Sequence, residues 1–331
     1  MGTSTQFTDF SDLYGGLINA VRQQTGVTVI ETAAKRAVNV ALQDMHLGTD
    51  YKLPWAERDA VLFTQALYNT GTVTVARGAT AITGSGTAWN TNNDFSVKNM
   101  RYNGVIVFEG SRVPYRIASV STDTGADIAN KFTETSITDG TYTYFEDEYD
   151  LAADFLRPID AQVFSEQTSI DLISTTEFRR RYPSNVLTGK PTSACIVFSQ
   201  TSAASLLHIK RVKFNKAPNA FISIPYAYIT SFLSETTSGR STNLVSDSDQ
   251  PIVPLRYRHA IFYHALYGWY RDKKDDSRSQ EAKAEYVDIM TRILMDVDVG
   301  ANKPQMAPRT SNYKRSAQSP YGGMRGRWSR P

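Results

Sequence analysis

The run Tyr68-Asn69-Thr70-Gly71-Thr72-Val73-Thr74-Val75, continued by Thr83-Gly84-Ser85-Gly86-Thr87-Ala88-Trp89, marks the place where this chain changes character. Thr and Val alternate after Gly71, the period of a strand with one face buried. From here to about residue 230 the sequence is rich in Thr, Val, Ile, Tyr and Gly, in short runs broken by turn residues. Strands are expected at 72–75, 102–108, 115–120, 142–145, 193–198, 206–214 and 220–228. Turns are expected at Gly84-Ser85-Gly86, Glu109-Gly110, Asp139-Gly140 and Ala217-Pro218-Asn219. Short, regularly spaced strands of this kind predict an antiparallel sandwich or barrel-like module.

Upstream of Gly71 the pattern is helical. Ser11 is placed to cap a helix with apolar residues at Leu13, Leu17, Ile18 and Val21. Gly26 breaks it. A second helix carries Ala33, Ala34, Ala37, Val38, Ala41, Leu42 and Met45, with His46 in its last turn and Gly48 as a C-cap. Residues 56–67 suit a third short helix, or a strand over Val61-Leu62-Phe63-Thr64. Downstream, Glu235 to Asn243 reads as a flexible loop. A helix from about Leu255 presents Ile261, Ala265, Leu266 and Trp269, and the charged patch Arg271–Asp276 is a solvated helix surface or a short turn. Ala282, Tyr286, Ile289, Ile293 and Leu294 resume a helical face, which Gly300 ends.

The expected fold is therefore α+β. Terminal α-helices pack as one bundle, with a large β-rich, sandwich- or barrel-like insertion and an extended C-terminal arm. The expected segments are 1–70 and 245–300 for the bundle, 71–235 for the β-rich domain and 301–331 for the arm.

Charge divides the chain in the same way. Residues 301–331 hold Lys303, Arg309, Lys314, Arg315, Arg325, Arg327 and Arg330 and no acid. Removing those seven from the 36 basic residues leaves 29 against 33 acids, so the body carries −4 while the whole chain carries +3. Pro304, Pro308 and Pro320, with Gly322, Gly323 and Gly326, leave the arm too little apolar surface to fold alone. No stretch approaches the roughly 18 apolar residues of a membrane span, so a soluble protein without membrane contact is expected. Met1–Gln6 shows neither a secretory leader nor a myristoylation pattern.

Catalytic signals are few. Cys195, the one cysteine, sits in an apolar run and reads as a small buried hydrophobe. His259 and His264 lie five apart, about 140° beyond one helical turn, so they face different ways and do not form a zinc helix motif. His46 and His208 stand apart from them. Gly84-Ser85-Gly86 lacks the strand-to-helix context of a nucleophile elbow. Asp147, Glu148, Asp150 and Asp154 read as solvated acids at strand ends. Arg179-Arg180-Arg181 reads as a solvated strand edge or a patch for ion pairs between subunits. No phosphate loop or dinucleotide fingerprint is present, so neither an enzyme nor a cofactor or metal site is expected.

Three phrases, in order, carry a resemblance. The first is the Tyr68–Val75 and Thr83–Trp89 pair, followed by Tyr115 and Ser119-Val120. The second is Asp150-Leu151-Ala152-Ala153-Asp154-Phe155-Leu156-Arg157, with Ala152 where proline is common. The third is Asp249-Gln250-Pro251-Ile252-Val253-Pro254, then Tyr257, His259, Ala260, Tyr263, Ala265 and Leu266. Over residues 60–295 the series resembles the head–tail adaptor (connector) proteins of tailed bacteriophages, the tail tubular protein A-like family. The resemblance implies a virion neck protein, assembled in the host cytoplasm. It implies a ring, usually of twelve copies, built by the helical part under the portal protein. DNA passes through the lumen without sequence-specific binding, and a tail nozzle or tail tube protein, with tail fibres as further partners, docks below. The portal-binding residues it points to are Arg309, Tyr313, Lys314, Arg315, Tyr321, Arg325, Arg327, Trp328 and Arg330. A different reading makes the β-rich domain a tail-associated module for fibres or host glycans, with Trp89 and Tyr144 as exposed stacking aromatics.

Overall fold

The computed structural model describes residues 7–21, 27–47, 53–93, 96–111, 113–159, 162–165, 168–183, 187–200, 208–236 and 239–301. The chain opens with helices α1 (Phe10–Ala20) and α2 (Thr28–Leu47). Strands β1 (Glu57–Phe63), β2 (Thr72–Val75), β3 (Ala81–Ser85), β4 (Val105–Phe108), β5 (Tyr115–Val120), β6 (Gly125–Ile128), β7 (Ile137–Gly140) and β8 (Tyr142–Phe145) follow. Next come β9 (Glu148–Asp150), β10 (Phe155–Pro158), β11 (Gln162–Ser165), β12 (Thr168–Leu172), helix α3 (Thr175–Arg181), β13 (Ser193–Gln200), β14 (His208–Phe214) and β15 (Ser223–Thr230). Short strands β16 (Ser234–Thr236), β17 (Gly239–Ser241) and β18 (Gln250–Pro251) precede helices α4 (His259–Asp272) and α5 (Asp276–Ala301). The fold is α+β. Two compact units divide it: Met1–Ala56 with Phe232–Pro331, and Glu57–Ser231.

The first unit is helical and draws on both ends of the chain. Phe10, Leu13 and Leu17 of α1, Val38 and Leu42 of α2, Ile261 and Ala265 of α4, and Met290 and Ile293 of α5 share one buried core. The cap of α1 is Asp9, not Ser11. Its carboxylate accepts from the Asp12 amide at 2.9 Å and from Ser11 Oγ at 2.7 Å, and the earlier start brings Phe10 into the core. The stretch expected as a flexible loop supplies two paired strands: β16 pairs with β17, Ser234 opposite Ser241, and Ser234 Oγ donates to the Asn243 carbonyl at 2.7 Å. Within the charged patch, Arg271 and Asp272 end α4 and Asp276 opens α5, with a turn at 273–275 where Lys274 has φ +59; α5 continues one residue past Gly300. Arg258 is the least expected member of the core. Its guanidinium donates to the carbonyls of Val253 (2.9 Å), Pro251 (3.2 Å), Phe7 (3.3 Å) and Thr8.

The second unit is the β-rich insertion. A seven-stranded sheet in the order β7-β2-β3-β6-β5-β4-β8 curls into a half-barrel. Inward residues Val73, Val75, Ile82, Ile106, Phe108, Ile117, Tyr142 and Tyr144, with Trp89 from a loop, fill it. Gly71, at φ +80, enters this sheet where any Cβ would strike the Ser85 carbonyl. Gly84 and Ser85 belong to β3 rather than to a turn, and the bend comes at Gly86, φ +65. A five-stranded sheet, β11-β12-β13-β14-β9, packs its apolar face on a three-stranded one, β1-β15-β10. Among the described strands β12 and β13 alone pair in parallel, with α3 in the connection between them.

Residues 57–63 take the strand alternative, and they form β1 in register with β15. Leu62 turns inward while Val61 and Phe63 turn out, an alternation that a helix could not satisfy. The division between units accordingly falls at 56/57 and 231/232, not at 70/71 and 235.

Trp89 Nε1 donates to Tyr142 Oη at 2.9 Å, both side chains buried, and that hydroxyl donates at 2.7 Å to the carbonyl of Thr70, an exposed residue. Tyr142→Phe strands the buried indole N–H, so unfolding should need about 1–3 kcal/mol less free energy. Chemical denaturation at constant m-value checks this; an unchanged midpoint would show that the relay contributes nothing.

Candidate interaction surfaces

Of the acids expected to be solvated, Asp150 is exposed, whereas Asp147 and Glu148 are largely withdrawn from water. Asp147 is 1% exposed, and Arg116 forks onto it with N–O distances of 2.5 and 2.7 Å. Lys213 reaches Asp147 at 3.4 Å and Glu148 at 3.0 Å, and Asn103 donates to Glu148 at 2.6 Å. Arg101 pairs with Glu146, which also accepts from Tyr144 Oη at 2.8 Å; Arg211 pairs with Asp150 at 2.5 Å. Asp154 accepts from Tyr228 Oη (2.7 Å) and Thr230 Oγ1 (2.6 Å). Burial works against the Arg116 charge, yet hydrogen bonding and attraction from Asp147 and Glu148 raise its pKa above the ordinary arginine value. Four cations thus face four carboxylates. The arrangement locks β5, β9 and β14 together and leaves these acids committed to their partners, which suits fixed geometry rather than proton transfer. Among the described residues no group of His, Cys, Asp and Glu could hold a metal ion. Asp147→Asn leaves Arg116 and Lys213 without their shared anion, and stability should fall by about 3 kcal/mol. A denaturation midpoint equal to that of the parent protein would overturn the lock.

The other reactive side chains are also committed. Cys195 is buried in β13, and burial raises its thiol to about 11. His259 packs edge-on against Phe7 at 5.0 Å and His264 against Tyr286 at 4.7 Å. His46 is buried, with Nδ1 2.9 Å from the Leu42 carbonyl and Nε2 accepting from Trp55 Nε1 at 3.1 Å. The ring is therefore neutral with its proton on Nδ1. Burial pushes His46 and His264 below the usual histidine range. Unfolding lets both take up protons near pH 6.5, so their contribution is present above that value and lost as pH falls below it. Between about pH 7 and 5 the melting temperature should drop, and His46→Gln should flatten part of that slope; parallel profiles for the two proteins would refute it.

Trp89 and Tyr144 are both fully buried, so neither can stack on a glycan. They fill the half-barrel because its curvature leaves space that only large rings close. Arg179–Arg181 lie on α3 rather than on a strand edge, where Arg180 and Arg181 share Glu177 at 2.8 and 2.5 Å.

Two exposed features carry apolar side chains, and the second also carries charge, with Arg36, Asp44, Arg271, Asp272 and Lys273 at its rim. In the insertion, β1 is an edge strand whose Val61 and Phe63 point to solvent, and Phe63 stacks on Phe221 at 5.4 Å and 8°. In the helical unit, α2 and α4 border a groove of about 570 Å³ lined by Ala33, Ala37, Val40, Ala265 and Gly268. Sequence reading passed over them, although Val29, Ala33, Val40 and Leu47 recur on one outward face of α2 and could have announced the second. The expected arm residues Arg309, Tyr313, Lys314, Arg315, Tyr321, Arg325, Arg327, Trp328 and Arg330 lie outside the described residues.

No family model matches the chain, and no curated protein matches it.

Proposed function

We propose that this chain is a structural head–tail adaptor of a tailed-phage virion, not a catalyst. The observation that carries the reading is the way the chain is routed. Both ends build one helical unit, the middle is a closed β-rich insertion, and α5 leads at Ala301 directly into a segment with seven cations and no acid. An adaptor needs a rigid body that tiles, a second surface for the next component, and a chain end that can grip a large neighbour. Residues 302–331 can reach up to roughly 100 Å. Their Tyr, Met and Trp residues among arginines suit the pockets and rims of a protein interface.

In this role copies form a ring, twelve in number if it matches a dodecameric portal, and the arm binds the portal protein. A tail nozzle or tube protein, and fibres, dock on the insertion, where Val61, Phe63 and Phe221 offer an apolar site. DNA crosses the lumen without sequence readout, in keeping with the net −4 of the body. A site of action in the neck of the virion, after assembly in the host cytoplasm, belongs to the same reading.

Binding to purified portal rings tests it, comparing the full chain with one ending at Gly300. The full chain should sediment with portal, and the shortened one should lose at least about tenfold in affinity, or roughly 1.4 kcal/mol. Equal binding would separate the arm from portal recognition, and no binding by either would end the adaptor reading.

A further inference from the structure

The β-rich insertion leaves one strand edge open. β1 lies at the border of the sheet β1-β15-β10 and pairs with β15 over seven residues without a register shift. Strand edges expose unpaired N–H and C=O groups, and proteins ordinarily blunt them. The opposite border, β10, has Pro158 and a register shift. In the seven-stranded sheet β7 has a shift and ends at Gly140, while β8 is bridged on its outer side by Tyr68. β9 has three residues and β11 four. In β1 charge stops at Asp59, and Ala60-Val61-Leu62-Phe63 follow.

Backbone direction defines what this edge offers. The Thr64 amide donates to the Ile222 carbonyl at 3.0 Å, and alternation along the antiparallel ladder turns Leu62 and Ala60 to β15 as well. The amides and carbonyls of Asp59, Val61 and Phe63 therefore point away from β15. The Glu57 carbonyl does too, but Arg58 Nη1 already donates to it at 2.7 Å. The same three residues carry outward side chains, with Val61 50% and Phe63 55% exposed and Asp59 exposed as well. Beside them lies a cavity of about 560 Å³, lined in part by Val61, Phe63, Val97 and Phe221. Its charged residues, Arg101 and Asp150, are already paired with Glu146 and Arg211. Asp59 has no ion-pair partner among the described residues.

We propose that β1 is a docking edge for an extended segment of another protein. The segment adds as an antiparallel strand, with apolar side chains opposite Phe63 and Val61 and a lysine or arginine opposite Asp59. The outward N–H and C=O groups of residues 59, 61 and 63 bind its backbone, and the cavity takes its apolar side chains. Charge sets the direction, because a segment with the opposite order puts its cation on Phe63 and an apolar side chain on Asp59. A second copy of β1 is the poorer occupant: antiparallel pairing about Val61 sets Asp59 against Phe63, and parallel pairing sets acid beside acid. The inference rests on the adaptor reading for who the partner is, the tail component that docks on the insertion. The edge and its chemistry are measured without it.

The probe is the peptide acetyl-Ser-Ile-Thr-Val-Thr-Lys-Ser-amide, titrated into the full-length chain while NMR follows amide hydrogen exchange residue by residue. In the free chain Asp59, Val61 and Phe63 should exchange fast and Ala60 and Leu62 slowly; the peptide should slow the first three. N-methylation of its Val, whose amide faces β1, should weaken binding at least about tenfold, while N-methylation of a Thr, whose amide faces away, should not. D59K should weaken binding about fivefold, the scale of one exposed ion pair, and a peptide with Glu in place of Lys should restore it. No slowing, or equal loss from both N-methyl positions, would overturn strand addition, and no response to D59K would overturn the charge selection. Protection in the free chain that disappears when the chain ends at Gly300 would assign the edge to the arm. Protection that grows with protein concentration would assign it to a second copy, and either result overturns a separate partner. Peptide binding by a chain that ignores portal rings keeps the edge and ends the adaptor reading; portal binding without any peptide response does the reverse.

Discussion

One constraint organises this protein: helices from its two ends have to bury a common core. Phe7 and Arg258 are 251 positions apart in sequence, yet the guanidinium of one holds the carbonyl of the other. That cation is satisfied by backbone carbonyls from both chain ends and by the Gln250 side chain. Burial keeps its pKa below the ordinary arginine value while leaving it charged. Replacing it with an apolar residue would orphan several carbonyls at once, a cost concentrated where the chain is sewn together. Because the ends are tied in this way, everything between 57 and 231 must leave and return.

The insertion meets that requirement at its root. β1 and β15 run antiparallel with Glu57 opposite Ile229, so the outgoing and incoming strands are hydrogen-bonded from the first residue. Pairing of strands so distant in sequence is entropically expensive to initiate. The core of Leu62, Tyr149, Ile170, Val212, Phe214 and Ile224 offsets it, together with the ion-pair lock from Arg101 to Lys213. A buried ionic lock adds less to stability than an apolar core of equal volume would, but it tolerates few alternative packings. Under the proposed adaptor role, which requires fixed surfaces, such specificity is useful.

Much of the architecture was legible in the sequence because periodicity reports burial. The α2 core stripe and the Thr-Val alternation after Gly71 led to correct elements, and the cysteine's buried place in a strand followed from its neighbours. Local reading failed where a partner distant in sequence decides the outcome. Nothing near Asp147 announces Arg116 and Lys213, so the acids looked solvated. Trp89 sits in a Gly- and Thr-rich stretch that suggests exposure, and only the curl of the sheet encloses it. Residues 57–63 were undecided because Val61-Leu62-Phe63 suits either period until β15 is known to lie alongside. The arm was legible as composition alone, and its nine expected contact residues remain a matter of chemistry rather than of position.

Both ends of the chain build one unit, the insertion exposes an aromatic edge at Phe63 and Phe221, and the proposed adaptor role would hold such a body between larger parts. The most direct check is electron microscopy of portal rings mixed with an excess of the purified chain. The adaptor role predicts an added layer on one face of the ring, with the symmetry of the portal and a central opening. Portal particles unchanged in outline, or decorated at irregular positions without symmetry, would contradict it.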